Sequence, residues 1–255
     1  MTSSGDPATV DQLLTLLWRG KLGGRQGKRG PRQRIAVDDV VRAGIEVATE
    51  SGLAALSVRK VADKLGVGAM SIYTYVPSKA ELVGLMVDAV LGEGGLPAHA
   101  ESLRDRVFAV GMQIWEERLR HPWLLQAQTA RPLIGPRAMA LYEWQLSAID
   151  GMGFTDVEMD QAVTMIVGAA ESAARTAVEL DRARNESGMS DLEWWQINEP
   201  VLSKLYSAED FPIAARVGTS VGQEYQSIAD PERALTFALD RIVAGLQDLL
   251  GTRPR

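Results

Sequence analysis

Apolar residues recur through most of the chain at intervals of three and four positions, the spacing that places them on one face of an α-helix. The two-residue alternation typical of a surface β-strand is absent. The spacing predicts helices over residues 38–51, 81–91, 102–120, 122–130, 137–151 and 156–184, one that opens after Ser190, and a last one from Pro231 onward. The stretch around Gly218–Ser227 is rich in Gly, Ser and Gln and is assigned no helix. The sequence therefore predicts an all-α protein.

Two short helices joined by a glycine-containing turn are predicted within Ala55–Leu82. Ser57 can cap the first helix, and Gly66 can end it because glycine adopts positive φ at low steric cost. The second helix is predicted over Ala69–Tyr75, and Pro77 stops it because the residue before a proline avoids the α region. This arrangement matches the helix-turn-helix, whose second helix lies in the DNA major groove. The alternative is a helical hairpin within a bundle.

The outward side chains of this unit carry groups that suit DNA. Arg59 can bind guanine O6 and N7 through two hydrogen bonds, and hydroxyl groups suit phosphate oxygens. Met70 and Thr74 offer apolar or small polar contacts to base edges. The DNA-contacting residues predicted from this chemistry are Arg59, Lys60, Met70, Ser71, Tyr73, Thr74 and Tyr75.

The segment from Gly52 to Val83, GLAALSVRKVADKLGVGAMSIYTYVPSKAELV, closely resembles the DNA-binding domain of the tetracycline-repressor (TetR) family. The helix-turn-helix of that family ends in L-Y-x-[HY]-V-x-x-K, and the residues from Ile72 to Lys79, IYTYVPSK, follow this pattern with isoleucine in place of leucine. The resemblance implies two sets of DNA contacts. Phosphates would be held by Ser57, Tyr73, Tyr75 and Lys79, and bases would be faced by Arg59, Ala69, Met70 and Thr74.

The formal net charge of −6 is unusual for a DNA-binding protein until the charges are located. Seven basic residues and no acidic ones lie between Arg19 and Arg34, and removing these seven positive charges leaves −13 on the rest of the chain. We interpret this segment as a flexible basic arm that reaches the DNA minor groove; a solubilising tail is the alternative. The arm residues predicted to contact DNA are Arg25, Lys28, Arg29, Arg32 and Arg34.

Glycines and a proline interrupt the helical pattern between Gly92 and Pro97, which places a domain boundary there. The predicted domains are an N-terminal extension at residues 1–34, the DNA-binding domain at 35–92, and a larger helical bundle domain at 93–255 for ligand binding and dimerisation. Within the extension, residues 10–18 form an apolar patch that either docks on the body or contacts a partner.

The helices at 156–184 and at the C-terminus are expected to need more apolar cover than one subunit supplies. Operator recognition by a helix-turn-helix also works as a symmetric dimer. In the TetR family the matching helices build a four-helix bundle across the dimer axis, so the resemblance implies a homodimer. An intrachain core is the alternative.

A ligand site is expected between the helices of the second domain, because bundles place apolar pockets with a few polar groups there. The candidate contacts are Met112, Trp115, Gln126, Trp144, Gln145, Thr164, Glu171 and Arg175. Each has a plainer interpretation, such as a core position for the tryptophans or an ion pair between Glu171 and Arg175. The order Arg131-Pro132, Gln145-Leu146, Gly153-Phe154 resembles that of the tetracycline repressors themselves, where the glutamine contacts the drug.

The histidines that bind the magnesium–drug complex in those repressors fall here at about Gly95 and Ala127, which cannot ligate a metal. We therefore expect no cofactor and no metal, and a different small-molecule effector, aromatic or amphipathic. The chain has no cysteine and two isolated histidines, which supply no catalytic set for an enzyme. Because no signal peptide or membrane-spanning stretch is present, a cytoplasmic location without membrane contact is expected.

Together these features predict a regulator that binds a palindromic double-stranded DNA operator as a dimer and is released by a small molecule. The alternative is a ligand-independent DNA-binding regulator or an activator. A body with an empty, polar-lined pocket would favour the first, and a body packed solid would favour the second.

Replacing the five basic arm residues by serine is expected to weaken operator binding and to flatten its salt dependence. For every phosphate that the arm no longer neutralises, the slope of log K against log salt concentration becomes shallower by about 0.9. Titrations of one duplex at several salt concentrations measure both quantities. If affinity and slope both stay unchanged, the arm is a tail with no role in binding.

Overall fold

The computed structural model describes residues 7–22, 35–127, 132–205 and 208–252, and within these ranges all regular secondary structure is helical. The helices are α1 (Pro7–Leu17), α2 (Val37–Ser51), α3 (Val58–Leu65), α4 (Ala69–Ile72), α5 (Lys79–Val90), α6 (Leu103–Arg120), α7 (Pro136–Ser147), α8 (Asp156–Ser187), α9 (Asp191–Leu205), α10 (Pro212–Tyr225) and α11 (Pro231–Gly251). Two short 3-10 helices lie at Leu53–Ala55 and Pro122–Gln126. None of the described helices is long and apolar enough to cross a membrane.

Helices α2 to α5 form one unit, here called the reading head, around their own apolar core. Val40, Val61, Ile72 and Met86 are fully buried in this core. The approach of α2 to α5 is close, since a Cβ added at Gly44 would stand 2.8 Å from the sulfur of Met86. The head is therefore a tightly packed helical unit, and its core holds α3 and α4 in place through their buried sides.

Helices α6 to α11 form the body, in which α6, α8 and α11 pack on one another. Val107, Ile149, Ala170 and Leu239 are fully buried in the body core. Gly111 lets α6 approach α11, because a Cβ there would stand 2.7 Å from a methyl group of Leu239. The predicted all-α architecture, with a small head and a larger helical body, is confirmed.

The apolar patch at residues 10–18 packs within the chain, but mainly against the head, whereas the prediction had it dock on the body. Leu17 is buried in the core of the head, and the methyl groups of Leu13 lie against Gly84 of α5. The Trp18 indole N–H donates to the Ile134 carbonyl, 2.9 Å away, just before α7. Helix α1 therefore touches both the head and the body.

Reciprocal capping boxes start helices α8 and α9. Glu158 accepts from the Thr155 N–H at 2.8 Å, and Glu193 accepts from the Ser190 N–H at 2.8 Å, while each hydroxyl accepts in return. At α5 the Ser78 hydroxyl accepts from the Glu81 N–H at 3.3 Å. The Glu81 side chain is buried, and its Oε2 has no hydrogen-bond partner within the described part of the chain.

Several predicted elements differ from the structure. The helix predicted over 137–151 ends at Ser147. Helix α4 ends at Ile72 instead of Tyr75, because the chain tightens into i to i+3 hydrogen bonds such as Tyr75 N–H to Ile72 O before Pro77. The helix expected over 122–130 is a 3-10 turn that ends at Gln126, and residues 128–131 lie outside the described ranges.

One helix was missed: the stretch around Gly218–Ser227, to which no helix was assigned, lies mostly within helix α10. Two glycines in a helix cost about 1 kcal/mol each, which does not break it when a proline starts it correctly. The hydroxyls of Thr219 and Ser220 donate to carbonyls one turn earlier, at 2.8 and 3.1 Å, and so do not compete with the helix.

Asp191 is the buried residue of α9 and ties three segments together. Its carboxylate accepts from Arg184 at the end of α8, at 2.6 and 3.2 Å, and from the Ser227 hydroxyl at 2.6 Å. The hydrogen bond from the Arg184 guanidinium lowers the pKa of the Asp191 carboxyl below its usual 3.8. Ionised Asp191 therefore stabilises the fold above about pH 4, and this contribution is lost as the pH falls through the lowered pKa.

The substitution Asp191→Asn is expected to destabilise the protein by about 1–2 kcal/mol at pH 7, a figure reduced for the partial exposure of Arg184. Urea unfolding followed by circular dichroism measures the loss. The difference from the unsubstituted protein should shrink at pH 3, and a difference that is the same at both pH values would contradict this role. Arg182→Gln, which removes an exposed i to i+4 ion pair with Glu186, is the control and should change stability by less than about 0.5 kcal/mol.

Candidate nucleic-acid interface

Local capping fixes the shape of the helix-turn-helix. The Ser57 hydroxyl accepts from the Lys60 N–H at 3.2 Å and starts α3, as predicted. Gly66 ends α3 in the left-handed conformation, with φ at 66°, and the Val67 N–H bonds back to the Ala62 carbonyl at 3.0 Å. Helix α4 therefore follows α3 after a short turn whose direction is set by one glycine.

Buried and exposed residues lie on opposite sides of this unit. Val61, Ala62, Ile72 and Val76 face the core of the head with at most 1% exposure. The opposite side presents the predicted base-facing and phosphate-facing groups to solvent. Its exposed members are Arg59, Lys60, Met70, Ser71, Tyr73, Thr74 and Lys79, while Ser57, Ala69 and Tyr75 are half-buried at its edge.

Met70 and Tyr73 are the large apolar and aromatic side chains exposed on this surface. Their exposed fractions are 79% and 46%, although large apolar and aromatic side chains normally seek the core. An exposed apolar group beside hydroxyls and cations suits a groove that offers thymine methyl groups and phosphates. The ten residues predicted to contact DNA lie between the start of α3 and the start of α5, and all of them are exposed or half-buried.

The cations of the head fall into two groups. Lys64 lies at 3.0 Å from Glu46 and 2.7 Å from Glu50 of α2, and its hydrogen bonds to these carboxylates raise the pKa of its ammonium group. Lys64 is therefore engaged within the head. Lys79 is exposed at the start of α5, where its ammonium lies 3.4 Å from the Leu53 carbonyl.

The five predicted arm contacts, Arg25, Lys28, Arg29, Arg32 and Arg34, lie outside the described residues. On the C-terminal side of the arm, Ile35 packs against the core of the head. Two described residues lie on its N-terminal side. Arg19 forms an ion pair with Asp38 at the start of α2, and the Lys21 ammonium lies 4.9 Å from the centre of the Trp18 ring. The segment thus starts and ends beside the reading head.

Buried polar groups connect the head to the body at the end of α5. Asp88 accepts from the backbone N–H groups of Arg137 and Ala138 at 3.1 and 3.0 Å, and burial raises the pKa of its carboxyl despite these hydrogen bonds. Glu117 of α6, 2% exposed, accepts from the Gly92 N–H at 2.8 Å. Neither carboxylate is indicated by the sequence, because each partner is more than twenty residues away.

Several candidate ligand contacts lie inside the body. Trp115 and Trp144 belong to one buried apolar cluster, Met112 packs against it, and Gln145 is 7% exposed. The Trp144 indole N–H donates to the Pro97 carbonyl at 2.7 Å, and its ring stacks on His99 at 4.9 Å. Trp144 therefore has a structural role whether or not it also contacts a ligand.

The other candidates are distributed differently. Gln126 and Thr164 are exposed. Glu171 accepts from the Arg118 guanidinium at 2.9 Å, and Arg175 donates to the Leu125 carbonyl at 3.3 Å. These two charges thus connect α8 to α6 and to the 3-10 turn, contacts that the i to i+4 spacing did not indicate.

A cleft of about 700 Å³ opens where the head meets the body. It is lined by Thr49, Glu50, Leu119, Pro122, Val178, Asp181, Arg182, Asn185 and Glu186, and none of the eight candidate ligand contacts is among them. Six of these nine lining residues are polar or charged.

A helix-turn-helix head with exposed basic and polar side chains, carried on a larger helical body, is the architecture of a DNA-binding regulator. Comparison with known families agrees. Residues 40–86 match the family described as bacterial regulatory proteins, tetR family, and residues 96–250 match the tetracyclin repressor-like C-terminal domain. The chain belongs to the tetR family of transcriptional regulators.

One relative covers nearly the whole chain and another covers about half of it. The HTH-type transcriptional repressor DrrR1 of Streptomyces coeruleorubidus is 36% identical over 262 aligned residues, which span 99% of this chain and 90% of that protein. An HTH-type transcriptional regulator of Saccharopolyspora erythraea is 35% identical over 139 residues, 54% of this chain and 57% of that protein. The crystal structure of apo ActR from Streptomyces coelicolor shares the fold with a TM-score of 0.69 at 22% identity, covering 86% of this chain and 98% of that one.

The substitution Arg59→Ala is expected to cost about 1–3 kcal/mol in operator binding and to relax the base preference at one position of the site. Lys79→Ala should instead weaken binding to all sequences alike and reduce the salt slope by about 0.9. Binding of both variants to an operator selected from a random pool of duplexes, and to its single-base variants, separates the two roles. A uniform loss for Arg59→Ala would assign that residue to a phosphate.

Proposed function

We propose that the protein is a repressor that binds a palindromic operator as a homodimer and leaves it when a small organic molecule enters the body. The observation that carries this proposal is the exposed reading surface on a head that is joined to the body by buried, directional hydrogen bonds. Such a connection lets a change in the body alter the position of the head. Reading DNA with α4 in the major groove then depends on where the two heads of a dimer stand.

Exposed apolar residues on α8 and α11 support the dimer. Val157 and Met165 of α8 are 67% and 56% exposed, and Phe237 of α11 is 67% exposed. Both helices also bury a full face within the chain. A second copy packed on the outer face would cover side chains that are costly to leave in water. It would also provide the two reading heads that half-sites about 34 Å apart require.

The effector we propose is an aromatic or amphipathic molecule that lies against Met112, Trp115 and Gln145. Ring faces and a thioether favour an aromatic ligand, and a buried amide can orient it through hydrogen bonds. ActR, which shares this fold, has been crystallised with actinorhodin and with (S)-DNPA. That precedent supports a small-molecule effector for this chain.

Release follows from differential affinity for two states of the body. A ligand that binds more tightly to a state with displaced α5 lowers operator affinity by the ratio of its affinities for the two states. Because DNA and ligand are linked reciprocally, operator binding must weaken ligand binding by the same factor.

The test begins with selection of bound duplexes from a random pool, followed by titration of the selected complex with a panel of aromatic small molecules and with actinorhodin. Release by a member of the panel is expected. Gln145→Leu should lose release while keeping operator affinity, and Glu143→Gln, an exposed change on the same helix, should keep both. Ligand binding to the body that leaves operator affinity unchanged would refute the repressor model and favour a ligand-independent regulator.

A further inference from the structure

Three segments of the chain meet at the first turn of α7. Helix α5 reaches it through Asp88, the extended connection before α7 reaches it through Gly135, and the N-terminal segment reaches it through Trp18. This site, here called the α7 junction, is the place where the head, the body and the N-terminal helix all touch.

Asp88 bonds the head to the body in a directional way. Its Oδ1 accepts from two successive N–H groups of α7, and the ionised carboxylate lies at the positive end of that helix dipole. The contact requires glycine at the preceding position, because a Cβ added at Gly135 would overlap the Asp88 carboxylate. The pair therefore fixes both the distance and the orientation between α5 and α7.

The N-terminal segment holds the same two elements from outside. Leu13 packs on α5 at Gly84, where an added Cβ would stand 3.1 Å from its methyl carbon. Five residues later, Trp18 donates its N–H to the carbonyl of Ile134, immediately before Gly135. The ion pair of Arg19 with Asp38 attaches this segment to α2 as well. Helix α1 thus acts as a strap across α5 and the start of α7.

The far end of α7 carries candidate effector contacts. Trp144 and Gln145 lie about two turns beyond Ala138 on this twelve-residue helix, which is about 18 Å long. A helix of this length moves as a rigid rod, so that a shift at its buried end displaces its first turn. Asp88 and Trp18 would then transmit that displacement to α5.

We infer that the α7 junction of Asp88, Gly135 and Trp18 sets the position of the reading head, with α1 as the strap that holds it. The existence of this coupling is independent of the effector, and only the direction of the signal rests on the proposed function. Asp88 and Trp18 are positioning residues, since neither belongs to the predicted DNA surface. Loosening the junction spreads the head over several positions, and the fraction competent for the operator falls.

Three variants loosen the junction in different ways. Asp88→Asn keeps the shape of the side chain and removes its charge, and Gly135→Ala pushes the carboxylate away. Trp18→Phe keeps an aromatic ring and removes only the N–H donor to Ile134. Trp18 is half-buried, so this third variant tests the junction with little risk to the fold. Tyr142→Phe is the matched control, because it deletes a hydrogen bond of the same helix, to Asp160 at 2.7 Å, away from the junction.

The position of the heads is measured directly by spin-label distances. The chain has no cysteine, so Ala54→Cys introduces one exposed labelling site on each head. Double electron–electron resonance then gives the distance between the heads of a dimer without DNA. The three junction variants should broaden or shift this distribution and lower operator affinity about 5- to 150-fold. Circular dichroism and thermal unfolding report whether each variant keeps its helices.

Tyr142→Phe should match the parent protein in distance distribution and in operator affinity. The inference is overturned if all three junction variants keep the parent distribution and bind the operator within twofold of the parent, even if their thermal stability falls. A parent protein that selects no DNA would instead refute the proposed function, and the distance distributions would still decide whether the junction positions the heads.

Discussion

The arrangement of the whole molecule depends on the hydrogen bonds made by buried polar groups at the C-terminal end of α5, where the chain passes from the head to the body. One side of α5 is buried in the head core through Leu82, Leu85, Met86 and Val90. Apolar contacts of this kind are non-directional, so they do not fix the orientation of the helix. The groups at its end are different, because a buried N–H or carboxylate without a partner costs about 1–3 kcal/mol. Glu117 accepts from Gly92, and Asp88 accepts from the first turn of α7. These directional bonds define the position of α5 relative to the body in this state.

The parts of this structure that the sequence predicts well are those determined by nearest neighbours along the chain. Ser57 and Gly66 set the limits of α3 through groups within four residues, and Thr155 with Glu158 starts α8 in the same local way. The exposed side of the helix-turn-helix follows from helical periodicity once these limits are set. Where the local signal is weak, the prediction is wrong. The glycines in α10 indicate a connection, although the segment is helical. The predicted α4 is one turn too long because its last residues form a hydrogen-bonded turn instead of α-helix.

The contacts that join the two domains could not be predicted, since Asp88 and Arg137 are 49 residues apart and nothing in either segment indicates the other. The contacts of the candidate ligand residues could not be predicted for the same reason. A tryptophan in a packed core and one in a pocket have the same helical spacing, and the sequence does not show that Trp144 bonds to Pro97 and stacks on His99. Charge patterning was more informative, because the basic segment between Arg19 and Arg34 is contiguous. It located the excess of acidic residues in the rest of the chain without any knowledge of the fold.

The buried charges of the body are better explained by geometry than by stability. Glu117 contacts Arg118, and Arg118 reaches Glu171 of α8, in surroundings where the side chains of these residues are 2%, 12% and 20% exposed. Replacing such a cluster by apolar residues is often neutral or stabilising, so its net contribution to folding is small. An apolar substitute could slide or repack, whereas charged groups at this burial accept only arrangements that keep their partners. Because Glu117 also holds the Gly92 N–H, any movement of α8 against α6 must either preserve the cluster or exchange it for another satisfied arrangement. A regulator that must stand in one of two states, and not between them, needs contacts of this kind beside the linking helix.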